Sequence, residues 1–233
     1  MRHSILLFVA VACLFTGEPV AAQQAEEIIV TASRREEAAP PPLVGVRRVA
    51  DFAVLAVTVT SDSRDSKLRY DEIFGMVRKA IELAGKRGVE LSTGELKVEP
   101  LTLANYRDLP VSGAGRADTS RVGFLLKTRL AGATDAKSAV ERLEAFVKSV
   151  PLVGRAEMVA DDDLALTVVE PGQYRGAILE RVVADAKAQA ARMGEGYAVE
   201  LEGLDRRVEF ERVGLTEVML FVRYGYRVVP SRR

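Results

Sequence analysis

Apolar and polar positions change period several times along this chain, and each change predicts an element. From Ala53 to Thr60, Leu55, Val57 and Val59 alternate with Ala56, Thr58 and Thr60, and β-branched residues are dense, so the segment predicts a strand. The step then lengthens to three and four: Tyr70, Ile73, Val77, Ala80, Ile81 and Ala84 form one stripe of a helix from about Ser66 to Arg87, with Gly88 as its cap. Leu96 and Val98 alternate with Glu95, Lys97 and Glu99 in a second strand ended near Pro100. Leu101 to Ser120 reads as a polar loop, and Val122, Phe124, Leu126, Thr128 and Leu130 as one face of a third strand.

A second helix is expected from Thr134 or Asp135 to Pro151, buried through Ala136, Val140, Leu143, Val147 and Val150. An extended stretch at Ala156–Ala160, an acidic turn and a strand through Leu164, Leu166 and Val168 follow. Pro171 opens a third helix with the stripe Ile178, Val182, Ala186, Ala190 and Met193, closed by Gly194. Three extended runs finish the chain at Ala198–Leu201, Arg207–Arg212 and Glu217–Val229. The expected class is α+β: a ferredoxin-like βαββαβ unit extended by a third helix and C-terminal antiparallel strands. Right-handed crossovers then place the first two helices on one face of the sheet.

The N-terminus has a different character. Arg2, an apolar run from Ile5 to Phe15 and Val20-Ala21-Ala22 have the layout of a secretory signal peptide, 1–22, with cleavage expected after Ala22. A bilayer span needs about 20 apolar residues, more than this run supplies. Cys13 offers a lipoprotein alternative, but Ala10 stands where a lipobox prefers Leu. Residues 23–48 read as a flexible arm ending in a stiff Pro40-Pro41-Pro42 linker, and 49–233 as the domain. The expected location is the periplasm, with no transmembrane segment after processing.

Composition narrows the chemistry. The single Cys (Cys13) and single His (His3) both lie in the signal segment, and the chain has no Trp. Thiol or imidazole nucleophile systems, thiolate or imidazole zinc sites and disulfides are therefore not expected of the mature protein. Basic and acidic residues balance at 33 each, which disfavours nucleic acid as a partner. Asp161-Asp162-Asp163 lacks the ordered Gly and distal Glu of a calcium loop and reads as a solvated turn. Gly113-Ala114-Gly115-Arg116 precedes a strand instead of opening a helix, so it reads as a loop and not a phosphate cradle. Phe221, Tyr224 and Tyr226 read as core and sheet packing. No catalytic residue, metal site or cofactor is expected. A hydrolase built from Ser, Lys or carboxylates is the enzymatic alternative.

Two resemblances add to this. Asp51–Val59, Gly88–Pro100 and the strand, acidic-proline turn and helix from Leu164 to Met193, including Val183–Ala190, resemble the SIMPL (DUF541) domain family over most of Asp51–Val229. That implies an α+β envelope protein linked to stress tolerance and, in one member, ring assembly, without agreed catalytic residues. Glu26–Glu37 resembles the TonB box of outer-membrane TonB-dependent receptors, and the rest of the chain is too short for their barrel. This implies protein binding through Glu27, Ile28, Ile29, Val30, Thr31 and Ala32, with a TonB-type periplasmic domain as partner. A mobile tail, or a strand that pairs with its own domain, are the alternatives, since an Ile-Ile-Val run adds readily to any open sheet edge. Self-assembly into a homo-oligomeric envelope scaffold is the competing role for the whole protein.

Overall fold

The computed structural model describes residues 27–30, 44–94, 98–116, 118–130 and 135–231. The expected signal peptide, 1–22, and residues 23–26 and 31–43 of the expected arm, Thr31 and Ala32 included, lie outside them. The described strands are β1 (Glu27–Val30), β2 (Val46–Val49), β3 (Phe52–Ser61), β4 (Glu90–Thr93), β5 (Glu99–Pro100), β6 (Ser112–Gly113), β7 (Ser120–Arg129), β8 (Glu157–Val169), β9 (Tyr197–Glu202), β10 (Val208–Arg212), β11 (Glu217–Val222) and β12 (Gly225–Pro230). The helices are α1 (Ser66–Ala84), α2 (Ala136–Ser149) and α3 (Arg175–Met193). No helix among the described residues is long and apolar enough to cross a membrane.

The main sheet runs β1-β8-β3-β7-β4-β5, with β6 added to β7 and every pairing antiparallel. Among β3, β4, β7 and β8 the order is fourth, first, third, second, which is the topology of a split βαβ pair. Alternation sorts the sheet's two faces. Leu55, Val57 and Val59 of β3 and Val122, Phe124 and Leu126 of β7 meet Ile73, Met76 and Val77 of α1 and Leu143 and Phe146 of α2 in one buried cluster. Both helices therefore cover the same face. Phe52, Val54, Leu125, Ala165 and Val169 pack together in a separate, smaller cluster.

A second core joins the end of this sheet to the C-terminal region. Ala53, Leu166 and Val168 pack with Ile178 and Val182 of α3 and with Phe210, Val218, Leu220 and Val222. The C-terminal strands do not widen the main sheet: β10-β11-β2 and β12-β9 form two small sheets of their own. Val46–Val49, of which Val46–Arg48 were expected in the arm, pairs with β11.

Helix starts follow the expected chemistry. Asp65 accepts from the Leu68 N–H at 2.7 Å and Asp135 from the Ser138 N–H at 2.7 Å, each satisfying an orphan amide of a first turn. Gly88 takes φ +66° after α1 and Gly194 φ +109° after α3. Several expectations need correction. Tyr70 is exposed, and α1 instead buries Arg69, Glu72, Phe74 and Met76 as well as Ile73 and Val77. Helix α2 is turned by about one position, burying Ala139, Leu143 and Phe146. Met193 is exposed. A strand that the alternation did not mark lies at Glu90–Thr93, followed by Gly94 at φ +112°; of the expected second strand, Glu99–Pro100 is extended and Glu95–Lys97 lie outside the described residues. The 101–120 loop holds a short hairpin, β6 against β7, and buries Leu101 and Leu109.

The polar residues buried on α1 join it to the turn before β8. Glu72 Oε2 accepts from Ser61 Oγ at 2.6 Å and Ser63 Oγ at 2.8 Å. Gly154 sits so close that a Cβ there would lie 2.1 Å from Glu72 Oε1, at a φ of +56°. Arg69 donates to the carbonyls of Ser63 (2.7 Å) and Arg64 (2.9 Å) and to Ser120 Oγ (3.2 Å). Burial pushes the Glu72 carboxyl's pKa up, but the two hydroxyls, the Arg155 N–H and the nearby Arg155 charge outweigh it, so the net shift is downward. Glu72 is thus a stronger acid folded than unfolded. Its stabilisation is complete above the unfolded glutamate value of about 4.3 and drains as pH falls through the lower folded value. Urea titrations from pH 7 to 3 should show Glu72→Gln less stable at pH 7, with the gap to wild type closing below about pH 4. A constant gap would contradict this.

Candidate strand-addition edge

Among the four strands of the split βαβ pair, β8 is an outer one, and an outer strand carries a row of unpaired amides and carbonyls unless something covers it. The acidic triplet deals with one stretch of it. Leu55 pairs with Leu164 and Val57 with Ala160, so Asp161–Asp163 stand opposite the single residue Ala56. The expected turn is therefore a bulge inside one long strand. A bulge carrying three exposed carboxylates is a poor template for another strand. Next along, the Leu164 carbonyl accepts from Arg212 Nη1 at 2.6 Å.

The last stretch, Leu166–Val169, is covered by the arm. β1 pairs antiparallel with β8, placing Glu27 opposite Val169, Ile28 opposite Val168, Ile29 opposite Thr167 and Val30 opposite Leu166. Four of the six expected interaction residues thus form a strand on the chain's own sheet, the outcome held above as an alternative. Thr31 and Ala32 lie outside the described residues.

What anchors β1 is a polar brace across four strands. Lys127 of β7 lies over the Phe52 ring of β3, its Nζ 4.2 Å from the ring centroid, and donates to Glu27 Oε2 of β1. Thr167 Oγ1 of β8 donates to the other carboxylate oxygen, Glu27 Oε1, at 2.7 Å. Glu27, Lys127 and Thr167 are only 8, 5 and 0 % exposed, so water contributes little to their solvation. The pair is sustained by its own geometry: both carboxylate oxygens have donors and the ammonium has a carboxylate and an aromatic face. The Glu27 carbonyl also accepts from the Val98 N–H at 3.3 Å, and the Val169 N–H donates to Asp51 Oδ2 at 2.8 Å.

Around this brace is an open cleft of about 400 Å³ lined by residues that include Glu27, Phe52, Glu90, Val98, Lys127 and Arg129. Each of its charges has a partner: Lys127 pairs with Glu27, Arg129 with Glu90 at 3.5 Å, and Asp51 with Arg48 from outside the lining. A second cleft, of about 450 Å³, lies where Arg116 and Ala114 of the Gly113–Arg116 segment meet Arg155, Asp62 and Thr60. There Arg155 is held bidentate by Asp62 at 2.6 and 2.8 Å, which lowers the Asp62 pKa. Ser61 and Ser63 turn their hydroxyls to the buried Glu72, an arrangement that fixes a turn rather than meeting a substrate. Phe221 is fully buried, whereas Tyr226 is exposed.

Lys127 and Thr167 are the members of this edge that sequence reasoning did not single out. Both sit in strands at positions that simple alternation treats as packing or solvent-facing. No protein-family model, curated protein or solved structure matched the chain.

The brace yields a quantitative expectation. Glu27→Gln should cost about 1–3 kcal/mol, since it leaves Lys127 without its counter-charge. In chemical denaturation, the Glu27→Gln/Lys127→Met double variant should lose less than the sum of the single losses, by about 1 kcal/mol or more. Strict additivity would mean that the two side chains do not cooperate.

Proposed function

We propose that this chain is a periplasmic, non-enzymatic binding module of SIMPL type that engages partners by strand addition through its N-terminal arm. The observation that carries the reading is the four-residue antiparallel pairing of Glu27–Val30 with β8. It is an instance, within one molecule, of the interaction that the arm would make with another sheet edge. Backbone hydrogen bonds supply affinity in this mode, and one anchored side chain sets register.

The partner we propose is the periplasmic domain of a TonB-type energy transducer, which the likeness of Glu26–Glu37 to a TonB box supports. Engagement is then a competition. A transducer must take Glu27–Ala32 from β8, so its apparent affinity is lowered by the fraction of molecules whose arm is already docked. A latch of this kind keeps the aggregation-prone Ile-Ile-Val run covered until a better edge arrives.

Calorimetric titration of the chain lacking residues 1–22 into the periplasmic domain of its host's TonB tests this. Saturable binding is expected, lost on removal of Glu26–Glu37 and on Ile28→Pro, which deletes a backbone donor that faces the paired edge in the β1–β8 register. Lys127→Met, which weakens the latch, should tighten binding several-fold. Affinity retained by Ile28→Pro would sink the mechanism.

A further inference from the structure

We propose that the β8 groove also takes the arm of a second copy of this chain, giving a dimer in which two copies exchange β1 reciprocally. This rests on the strand-addition reading of the arm but not on the transducer as partner.

The argument starts from what the groove recognises. Its floor is the Leu166–Val169 edge, and its one strong polar demand is a carboxylate placed to accept from both Lys127 Nζ and Thr167 Oγ1. With the arm undocked, Lys127 loses its counter-charge, and the bulge and Arg212 disfavour other strands at the neighbouring edge. The groove therefore selects a glutamate followed directly by a short extended run. A second copy supplies that sequence in the same register, with no new contact to be invented.

The tether permits the exchange. Residues 31–43 separate β1 from the next described residue, Val44, and have a contour length of about 45 Å. That exceeds the radius of gyration expected for a domain of this size, roughly 16 Å. Cis and trans docking make the same β1–β8 contacts, so their balance depends on effective concentration, which for short tethers is of the order of millimolar. Reciprocal exchange closes as a twofold dimer and leaves neither groove open. Wild-type protein at micromolar concentration should accordingly be mainly monomeric, and the exchanged state should emerge when cis docking is penalised.

Opposite charge reversals impose that penalty. In Glu27→Lys the arm meets Lys127 with a like charge, and in Lys127→Glu the groove repels its own Glu27. Each variant alone disfavours both its cis latch and its own homodimer. In a mixture, each arm meets the groove whose charge complements it: one groove regains the native Glu27–Lys127 pair, and the other gains the same pair with its charges reversed. Both variants, lacking residues 1–22, are unfolded together in urea at equal concentration, refolded, and analysed by native mass spectrometry and light scattering. The expected product is a one-to-one heterodimer, enriched about tenfold or more over either homodimer. The Glu27→Lys/Lys127→Glu double variant should refold as a wild-type-like monomer, because its latch is restored in cis. Co-refolding decides the matter even if one variant does not fold alone, since its partner then completes it. A mixture yielding only monomers or aggregate, while the double variant refolds normally, would overturn the proposal.

Discussion

An outer strand is the constraint from which most of this structure follows. A ferredoxin-like order places β8 at the sheet's edge, and its 13 residues are too long to leave unguarded. The chain treats successive stretches differently: a three-aspartate bulge near the middle, an arginine on the Leu164 carbonyl, and a separate strand over Leu166–Val169. Only the last of these is made by a separate segment of the chain, β1. The same end of the sheet that receives the arm also packs, through Leu166 and Val168, against α3 and the C-terminal strands. Arm docking and the second core therefore share one strand.

Charge makes that removable cover specific. An apolar strand alone would fit many edges and slip in register, because the side-chain period is two. Glu27 fixes the register by placing both of its oxygens where Lys127 and Thr167 can donate. Burial makes the arrangement selective, since a residue lacking the carboxylate leaves Lys127 with a desolvation penalty that nothing offsets. Selectivity of this kind is what the proposed competition with a transducer or a second copy requires.

Much of the fold was legible because its signals are periodic. Alternation located β3 and β7, three-and-four spacing located all three helices, and Asp135 and Gly194 marked helix ends as expected. Errors arose where packing overrode a local pattern. Helix α2 contains Val140 and Val147 but turns Ala139 and Phe146 inward, because the large aromatic fills the space under β7 and β8 better than either valine. Glu90–Thr93 holds a single strongly apolar residue, and its pairing with β7, not its composition, makes it a strand. Of the candidate edge, Glu27–Val30 was readable as a strand seeking an edge, but which edge was not. Lys127 lies between Leu126 and Thr128, and its role arises only when topology brings β7 and β1 within reach across Phe52.

The most direct measurement is amide hydrogen exchange, resolved by residue, on the chain lacking residues 1–22 at micromolar concentration. If β1 covers the edge, the amides of Ile28, Val30, Leu166 and Val168, which face one another across the pairing, exchange slowly and together, and Glu27→Ala releases them while α1 stays protected. Fast exchange of Ile28 and Val30 in the unaltered protein, with Leu166 and Val168 unaffected by the substitution, would contradict the account.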